Sequence, residues 1–140
     1  MAELKLEITI PEKIVFNEEI VSVTVPGSKG GFEVLVNHAP IISTLEIGEI
    51  KIVTKNNSIK YFATSGGTIE VENNSVLILS DAIELVEEID VKRAQDAKVR
   101  AEERLKEKEK KEIDVQRAKE AFKRAENRIK VAELRLITKA

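Results

Sequence analysis

The 140-residue chain contains no cysteine and one histidine, His38. The absence of cysteine excludes disulfides, thiolate metal sites and cysteine nucleophiles together. One histidine cannot supply a multi-histidine metal cluster within a single chain. Aromatic residues make up only 4% of the sequence although hydrophobic residues make up 42%, so a packed core must be built from Val, Ile and Leu.

Long apolar runs are also missing from the sequence. No stretch approaches the roughly 20 apolar residues that a membrane-spanning helix needs. Met1–Ile10 lacks the apolar segment behind a basic cluster that marks a signal peptide. These absences predict a soluble protein on the cytosolic side of a membrane.

The net charge of −2 conceals two parts of opposite charge. From Asp90 to Ala140 there are 17 Lys and Arg against 11 Asp and Glu, a net charge of +6. Residues 1–89 hold the remaining 6 basic and 14 acidic residues, a net charge of −8. This difference in charge predicts two modules.

Residues 1–82 have the pattern of consecutive short β-strands. Leu4, Leu6, Ile8 and Ile10 alternate with charged or polar neighbours, as in a half-buried strand. Further apolar runs occur at Val21–Val25, Phe32–Val36, Ile50–Val53, Ile59–Ala63, Thr68–Val71 and Val76–Leu79. Turn-prone segments rich in Gly, Asn and Ser separate them. Strands at this spacing, without helical periods between them, predict a β-sandwich or barrel.

The composition changes after Ile89. Asp90–Ala140 contains no Gly or Pro and is rich in Ala, Glu, Lys and Arg, which favour helices. The charged segment Lys106–Glu112 interrupts the apolar spacing, and Asp114 is a candidate N-cap for a second helix. The pattern predicts a helical hairpin with its turn near Lys108–Ile113.

Both predicted helices carry apolar stripes rich in alanine. The second stripe has coiled-coil spacing: Val115, Ala118, Phe122, Ala125, Ile129, Ala132 and Leu136. The first stripe is thinner: Val91, Ala94, Ala97, Ala101 and Leu105. Because burial contributes roughly 25 cal/mol per Å² and alanine buries little area, we expect a marginal hairpin that a partner can hold or open. Periodicity alone still favours a stable appendage with a solvated charged face over a switch.

These patterns together predict an α+β fold class. The N-terminal β-sandwich domain covers residues 1–85, and a C-terminal antiparallel two-helix hairpin covers residues 90–140. Consecutive strands followed by consecutive helices are typical of this class.

No motif in the sequence indicates catalysis. His38 lies in the turn-like segment Asn37–Pro40 without a partner motif, which favours a structural or contact role over a catalytic one. Gly27–Gly31 lacks the Gly-Lys-Ser/Thr triplet and following helix of a phosphate-binding loop. The basic hairpin interleaves acidic residues and offers only Phe122 as an aromatic, which disfavours nucleic-acid binding. We therefore predict no catalytic residue, no metal site and no nucleic-acid partner.

One group of residues lies where the predicted sandwich meets the first helix. Asp90 is placed to cap that helix, and Arg93 follows one turn later. The N–H groups of a helix N-terminus favour an anion. Arg100 lies two turns beyond Arg93, while Arg124 and Arg128 share a face of the second helix. If the hairpin folds back, these arginines converge on a phosphate group, although arginines at such spacings are usually solvated or paired with glutamate.

Several short motifs occur in order along the chain: Val25–Gly27 with Asn37–Pro40, Thr64–Gly67 with Glu70 and Val71, Val76–Ala82 (VLILSDA), and Ile89–Ala94 with Arg117 and Ala118. Each motif alone is weak, but their order and spacing along the chain are specific. Through these motifs the sequence resembles, over its whole length, the epsilon subunit of bacterial and chloroplast-type F-type ATP synthases.

The resemblance implies a non-catalytic rotor-stalk subunit, peripheral to the bacterial plasma membrane at its cytoplasmic face, or to the thylakoid at its stromal or cytoplasmic face. It implies a sandwich that binds the gamma subunit and the c-ring, with contacts at Gly31, Phe32 and His38. The hairpin rests on the sandwich or extends beside gamma toward the catalytic alpha/beta head, where it restrains ATP hydrolysis. Basic residues of the second helix then meet acidic surface on the beta subunits: Lys119, Lys123, Arg124 and Arg128.

The resemblance also implies a regulatory nucleotide but no required cofactor, since some bacterial members bind ATP in the folded form. Matching motif positions gives nucleotide contacts at Glu84, Ile89, Asp90, Arg93 and Ala94, with Arg100, Arg124 and Arg128 near the phosphates. Gln95 departs from the Lys that often follows Arg-Ala in the family.

The segment Gly30–Val36 departs further from the family pattern. The family commonly has Glu at the position of Gly31 and Gly at the position of Glu33, and often Pro at that of Val36. These departures concern the loop that the resemblance assigns to the c-ring contact.

A rival interpretation comes from another class of protein. A free-standing β-sandwich and coiled-coil adaptor, unrelated to an ATPase, fits the same periodicities. Co-purification with a gamma subunit discriminates between the two interpretations.

Overall fold

The computed structural model describes residues 3–106 and 112–139 of the chain. It divides into two compact units, Met1–Leu85 and Val86–Ala140. Strands build the first unit, and helices build the second. None of the described helices is long and apolar enough to cross a membrane.

The strands and helices follow the predicted order. The strands are β1 (Leu4–Ile10), β2 (Lys13–Val25), β3 (Phe32–Val34), β4 (Ile41–Leu45), β5 (Gly48–Thr54), β6 (Ile59–Thr64), β7 (Gly67–Glu72), β8 (Ser75–Leu79) and β9 (Ile83–Leu85). A 3-10 helix, Val86–Glu88, precedes α1 (Val91–Lys106) and α2 (Glu112–Lys139). This order confirms the predicted α+β class, a sandwich followed by two helices.

The long strand β2 links the two layers of the sandwich. Hydrogen bonding gives the strand order β4-β7-β8-β1-β2-β5-β6-β9, and β3 also pairs with β2. The β1–β8 pair is parallel, whereas the other pairs are antiparallel. The pairing register of β2 with β5 shifts between Ile20 and Ser22, so the first part of β2 pairs with β1 and its last part with β3 and β5. Such a shift bends a strand, so β2 can form part of both layers.

Aliphatic side chains from alternate strand positions fill the sandwich core. The fully buried ones are Leu4, Leu6, Ile8, Ile20, Val23, Val25, Val34, Ile50, Ile52, Ile69, Val76 and Ile78. Phe16 and Phe62 are also buried, and their rings meet edge to face with centroids 6.3 Å apart. The prediction of a core of Val, Ile and Leu is confirmed.

Hydroxyl groups hold together two neighbouring loops of the sandwich, Ser65–Gly66 after β6 and Ser80–Ala82 after β8. Ser80 Oγ donates a hydrogen bond to the Gly66 carbonyl oxygen at 2.6 Å, and Ser65 Oγ donates one to the Ala82 carbonyl oxygen at 3.1 Å. The Gly66 N–H donates to Thr64 Oγ1 at 3.1 Å. Thr64 and Ser80 are buried, so these bonds satisfy polar groups that are costly to bury unpaired.

Several predicted strand boundaries were wrong. The strand at Phe32–Val36 ends at Val34, because the chain leaves the sheet before Asn37, whose φ is 67°. The predicted Val21–Val25 is only the last part of β2, whose earlier residues do not alternate regularly. Two strands escaped prediction: β4 places two isoleucines side by side, and β9 has only three residues.

The start of the second helix also differs from the prediction. Asp114 as its N-cap was wrong, because α2 already begins at Glu112. Charged residues such as Glu and Lys are good helix formers, so a run of them need not end a helix. The predicted turn at Lys108–Ile113 lies mostly outside the described residues, and its last two positions belong to α2.

We expect Gly67→Ala to destabilise the sandwich by about 3 kcal/mol or more, because it combines backbone strain with a steric clash. Gly67 has a φ of 141°, and an added Cβ would overlap the Leu79 carbonyl oxygen. The measurement is urea unfolding followed by the fluorescence of Tyr61, the single tyrosine, which lies in β6.

Gly31→Ala is the matched control for this substitution. An added Cβ at Gly31 would lie 3.4 Å from the Val25 carbonyl oxygen, an ordinary contact distance, and the backbone there is not left-handed. Equal unfolding free energies for the two variants would contradict the assigned role of Gly67.

Candidate functional site

One end of the sandwich gathers the predicted partner residues Gly31, Phe32 and His38. The β2–β3 turn is closed by a hydrogen bond of 3.0 Å from the Gly30 N–H to the Gly27 carbonyl, and it leaves Gly31 exposed. The Phe32 ring centroid lies 6.3 Å from that of His38, with the two planes tilted by 32°. Gly27–Pro40, which contains all three residues, is called the loop surface below.

Asparagine contacts fix the second half of the loop surface. Asn37 and Asn74 both have left-handed backbone conformations, with φ of 67° and 61°, which asparagine tolerates better than most residues. The Asn37 N–H donates to Asn74 Oδ1 at 2.6 Å, and the Lys5 N–H donates to the Asn74 carbonyl at 2.9 Å. The loop before β4 is therefore tied to the β7–β8 turn, which positions His38.

The loop surface also presents apolar side chains that the sequence analysis missed. Leu35 is 48% exposed and Val36 is 37% exposed. On the neighbouring strand β4, Ile42 is 77% exposed. The sequence placed Leu35 and Val36 within a strand, so their exposure was overlooked. Exposed apolar residues grouped together mark interaction surfaces.

The loop surface and β4 form one continuous area. The Ser28 N–H donates to the Thr44 carbonyl at 3.0 Å, and Thr44 Oγ1 donates to Ser28 Oγ at 2.7 Å. The Glu46 N–H donates to the Pro26 carbonyl at 2.8 Å. These bonds join the β2–β3 turn to the end of β4, so a partner would meet a firmly held surface.

A cluster of exposed charges lies in another part of the sandwich. Lys55 Nζ is 3.2 Å from a Glu3 carboxylate oxygen and 3.9 Å from one of Glu19. Hydrogen bonds from Glu19 and Lys55 lower the pKa of Glu3, whereas the hydrogen bond with Glu3 raises the pKa of Glu19. Water screens such exposed charges, so we assign the cluster no functional role. Across residues 3–106 and 112–139, no group of His, Asp and Glu is arranged to hold a metal ion.

Alanines form the contact between α1 and α2. The buried ones are Ala94, Ala101, Ala118, Ala125 and Ala132, and the larger residues of the described stripes are only half-buried. These burials confirm the predicted stripes, while the Leu136 side chain lies outside the described residues. Val131 is also buried and was missed, although its position beside Ala132 signals a wider apolar surface. The 3-10 helix contacts α2, and its Val86 is fully buried.

Asp90 caps the first helix, as predicted. Its Oδ1 accepts a hydrogen bond of 3.0 Å from the Arg93 N–H, and its carbonyl accepts one of 3.0 Å from the Ala94 N–H. Ile89 and Ala94 are buried, whereas the Arg93 side chain is exposed. Four predicted nucleotide residues therefore come together at the start of α1, while Glu84 lies in β9 of the first unit.

The four predicted phosphate-binding arginines form a row along the helical hairpin. Lys98 Nζ lies 5.5 Å from the Phe122 ring centroid, so these two positions share roughly one level of the antiparallel pair. Counting about 1.5 Å per residue along each helix axis, Arg93 lies about 7.5 Å and Arg128 about 9 Å from that level, both toward the end of the hairpin where α1 begins. Arg124 lies between Arg128 and that level. Arg100 lies about 3 Å away in the opposite direction. The structure thus brings Arg93 level with Arg128, and it does not gather all four at one point.

Two family models match the chain consecutively. The β-sandwich domain of the ATP synthase delta/epsilon chain matches residues 3–86, and the long α-helix domain of the same chain matches residues 87–133. The ATP synthase epsilon chain of Protochlamydia amoebophila is 48% identical over 105 residues, which is 75% of this chain and 71% of that protein. The epsilon chain of Desulforamulus reducens is 45% identical over 104 residues, 74% of this chain and 78% of that protein.

Solved structures share the fold at low sequence identity. A chain of the Euglena gracilis mitochondrial ATP synthase, solved as OSCP, F1 and c-ring, has a TM-score of 0.79 at 20% identity and covers 96% of this chain and 82% of its own. A chain of the Tetrahymena thermophila mitochondrial ATP synthase central stalk and c-ring has a TM-score of 0.64 at 18% identity. The match covers 92% of this chain and 96% of that chain. Both likenesses concern the fold alone.

We expect Asp90→Ala to destabilise the helical unit by about 1 kcal/mol, because it removes the N-cap of α1. The measurement is thermal unfolding of the full chain followed by circular dichroism at 222 nm. Asp90→Ser keeps a capping hydroxyl and should restore most of the loss. Asp96→Ala removes the same charge from an exposed position within α1 and serves as the control. An equal loss for Asp90→Ala and Asp96→Ala would show that the cap is not responsible.

Proposed function

The chain belongs to the ATP synthase delta/epsilon chain family, and we propose that it is a non-catalytic central-stalk subunit of a proton-translocating F-type ATP synthase. In this role its sandwich couples the gamma subunit to the c-ring, and its hairpin restrains ATP hydrolysis. The observation that carries the proposal is the consecutive match of both family domains to the two units of the chain. The same match removes the support for a free-standing adaptor.

The sandwich is suited to transmit torque. Its core is fully buried and aliphatic, and hydroxyl bonds hold its loops together. The loop surface is the part that we assign to the c-ring, through Gly31, Phe32 and His38. The chain would then lie at the membrane as a peripheral subunit, on the cytoplasmic face in a bacterium.

The character of the c-ring contact follows from Gly31. The fold does not require glycine there, because an added Cβ meets only the Val25 carbonyl oxygen at 3.4 Å. The family commonly has Glu at this position, and the fold of this chain would accept its side chain. This chain therefore lacks that carboxylate at the proposed c-ring contact. The contact depends instead on the Phe32 ring and on the exposed apolar side chains Leu35 and Val36.

The hairpin is suited to exchange partners. Alanine side chains bury little area, so the free energy that holds α1 against α2 is small compared with a Leu- or Ile-based contact. Lys119, Lys123 and Arg124 are exposed on α2, and Arg128 is half-buried. In an extended hairpin these four residues would meet acidic surface on the catalytic beta subunits, and salt would weaken that contact.

ATP is the regulatory ligand that we assign to the closed hairpin; no cofactor is required. The contacts would be Ile89, Asp90, Arg93 and Ala94, with Glu84, Arg100, Arg124 and Arg128 completing the set. Support comes from the capped start of α1, where exposed Arg93 lies level with Arg128. ATP would stabilise the closed form by RT ln(1 + [ATP]/Kd), so only a Kd near the cellular ATP concentration gives a useful sensor.

We expect deletion of residues 90–140 to raise ATP hydrolysis by the assembled complex without impairing its assembly. The deletion removes the proposed inhibitory helices and leaves the sandwich core intact. The measurements are the hydrolysis rate of the purified complex and its subunit stoichiometry. An unchanged hydrolysis rate would show that the hairpin is a passive appendage. Failure of the complex to assemble would contradict the proposal that the sandwich by itself couples the gamma subunit to the c-ring.

We expect the isolated full chain to bind ATP at millimolar concentration or below, and Arg93→Ala to weaken binding by at least about tenfold, because one charge-assisted guanidinium contact is lost. Isothermal titration calorimetry measures both values. Lys92→Ala is the matched control, since it removes the same charge from the adjacent exposed position. Absence of ATP binding in the unmodified chain, or equal weakening by both substitutions, would contradict the proposed site.

A further inference from the structure

Phe122 is the only aromatic residue between Asp90 and Ala140, and it belongs to the alanine-rich stripe of α2. Its neighbours in that stripe, Ala118 and Ala125, are both buried, whereas Phe122 is half-buried. A phenyl ring is too large to lie between two helices that approach as closely as alanine allows. The ring therefore lies at the edge of the helix contact, on the flank where it meets Lys98 of α1.

The level at which Lys98 meets Phe122 decides which residues face each other across the hairpin. Counting equal steps of about 1.5 Å from that level along both helices, larger stripe residues lie level with larger ones, and alanines with alanines, to within about one residue. The pairs are Leu105 with Val115, Ala101 with Ala118, Ala94 with Ala125, and Val91 with Ile129. Phe122 differs from the other stripe residues, because the residue level with it is a lysine.

Sliding one helix along the other by two turns would remove this match. A shift of about seven residues brings Phe122 level with Val91 or Leu105. The ring would then meet a larger apolar side chain at the helix contact and would lose Lys98. The Lys98–Phe122 contact thus belongs to one register of the closed hairpin, in which α1 packs against α2.

The geometry of the Lys98–Phe122 contact is that of a cation–π interaction. Lys98 Nζ lies 5.5 Å from the ring centroid, within the roughly 6 Å over which a ring attracts a cation. Glu102 and Glu126 each lie one helical turn from a member of the pair, yet neither forms an ion pair with Lys98 among the described residues. Both members are half-buried, and partial removal of water strengthens the attraction between cation and ring.

We propose that Lys98 and Phe122 form the latch of the hairpin, a contact that selects the register of the closed form and sets how much of the chain is closed. Alanine contacts are nearly alike at every level, so they distinguish poorly between registers, whereas a cation and a ring attract each other only where they meet. The contact exists only while α1 packs against α2, so it stabilises the closed form alone. Its consequence for ATP hydrolysis rests on the proposed function, in which the extended hairpin restrains hydrolysis.

The latch is tested by a double-mutant cycle in the isolated full chain, with Lys98→Met and Phe122→Leu. Methionine keeps an unbranched apolar side chain without the charge, and leucine keeps apolar bulk without the ring; both are good helix formers. Urea unfolding followed by circular dichroism at 222 nm gives the unfolding equilibrium constants. We expect the double variant to lose about three- to tenfold less stability than the product of the two single losses. A loss equal to that product would overturn the latch.

Lys92→Met is the matched control, because it removes the same charge from an exposed position of α1 about 9 Å from the level of Phe122. Its effect should multiply with that of Phe122→Leu without any coupling. Lys98→Arg keeps a cation that stacks on aromatic rings, so it should keep the coupling to Phe122. Equal coupling at Lys92, or its loss in Lys98→Arg, would show that the contact between cation and ring is not responsible.

The regulatory consequence is tested in the assembled complex. Lys98→Met should lower ATP hydrolysis, by no more than the same factor of about three to ten, because a weaker latch leaves more of the hairpin extended. Lys98→Arg should keep the rate of the unmodified complex. If deletion of residues 90–140 raises hydrolysis while Lys98→Met leaves it unchanged, the latch does not regulate the complex. If the deletion has no effect, the proposed inhibition fails, whereas the double-mutant cycle still decides whether the latch exists.

Discussion

The contact between α1 and α2 depends on alanine, and this constraint determines how the helical unit can behave. Small side chains let two helices approach closely, but each buried methyl group removes little apolar surface from water. Ala94, Ala101, Ala118, Ala125 and Ala132 are all buried, while larger stripe residues such as Phe122 and Ile129 stay half-buried. A contact of this composition contributes less stabilising free energy than a Leu- or Ile-based contact of the same length would.

The sandwich has the opposite construction, because its interior is filled by large aliphatic side chains at alternate strand positions. Its loops are also held by specific hydrogen bonds, from Ser80 to Gly66 and from Asn37 to Asn74. Packing of this density resists deformation. The role that we propose needs one body that resists deformation and one that can be rearranged, and the different side chains of the two units are consistent with these needs.

The sequence predicted what depends on periodicity and local chemistry. The alternation of apolar and polar residues identified strands such as β1, and apolar residues spaced three and four positions apart identified the buried alanines. The aspartate at position 90 identified the helix cap. What it missed depends on contacts between distant parts of the chain. The exposure of Leu35 follows from the loop that Asn74 holds, and Val131 is buried on a surface of α2 outside the predicted stripe. The placement of Gly31, Phe32 and His38 on one surface needed the structure, because the ring contact joins the first residue of β3 to a loop residue beyond the end of that strand.

The alanine contact also bears on the regulation that we propose. A ligand shifts a conformational equilibrium only by its differential affinity for the two states. A contact made of larger residues would stabilise the closed hairpin so strongly that a modest differential affinity would change its population little. Alanine side chains bury less apolar area, so they contribute less free energy to closure. The regulation that we propose therefore requires a smaller differential affinity for ATP than a Leu- or Ile-based contact would require.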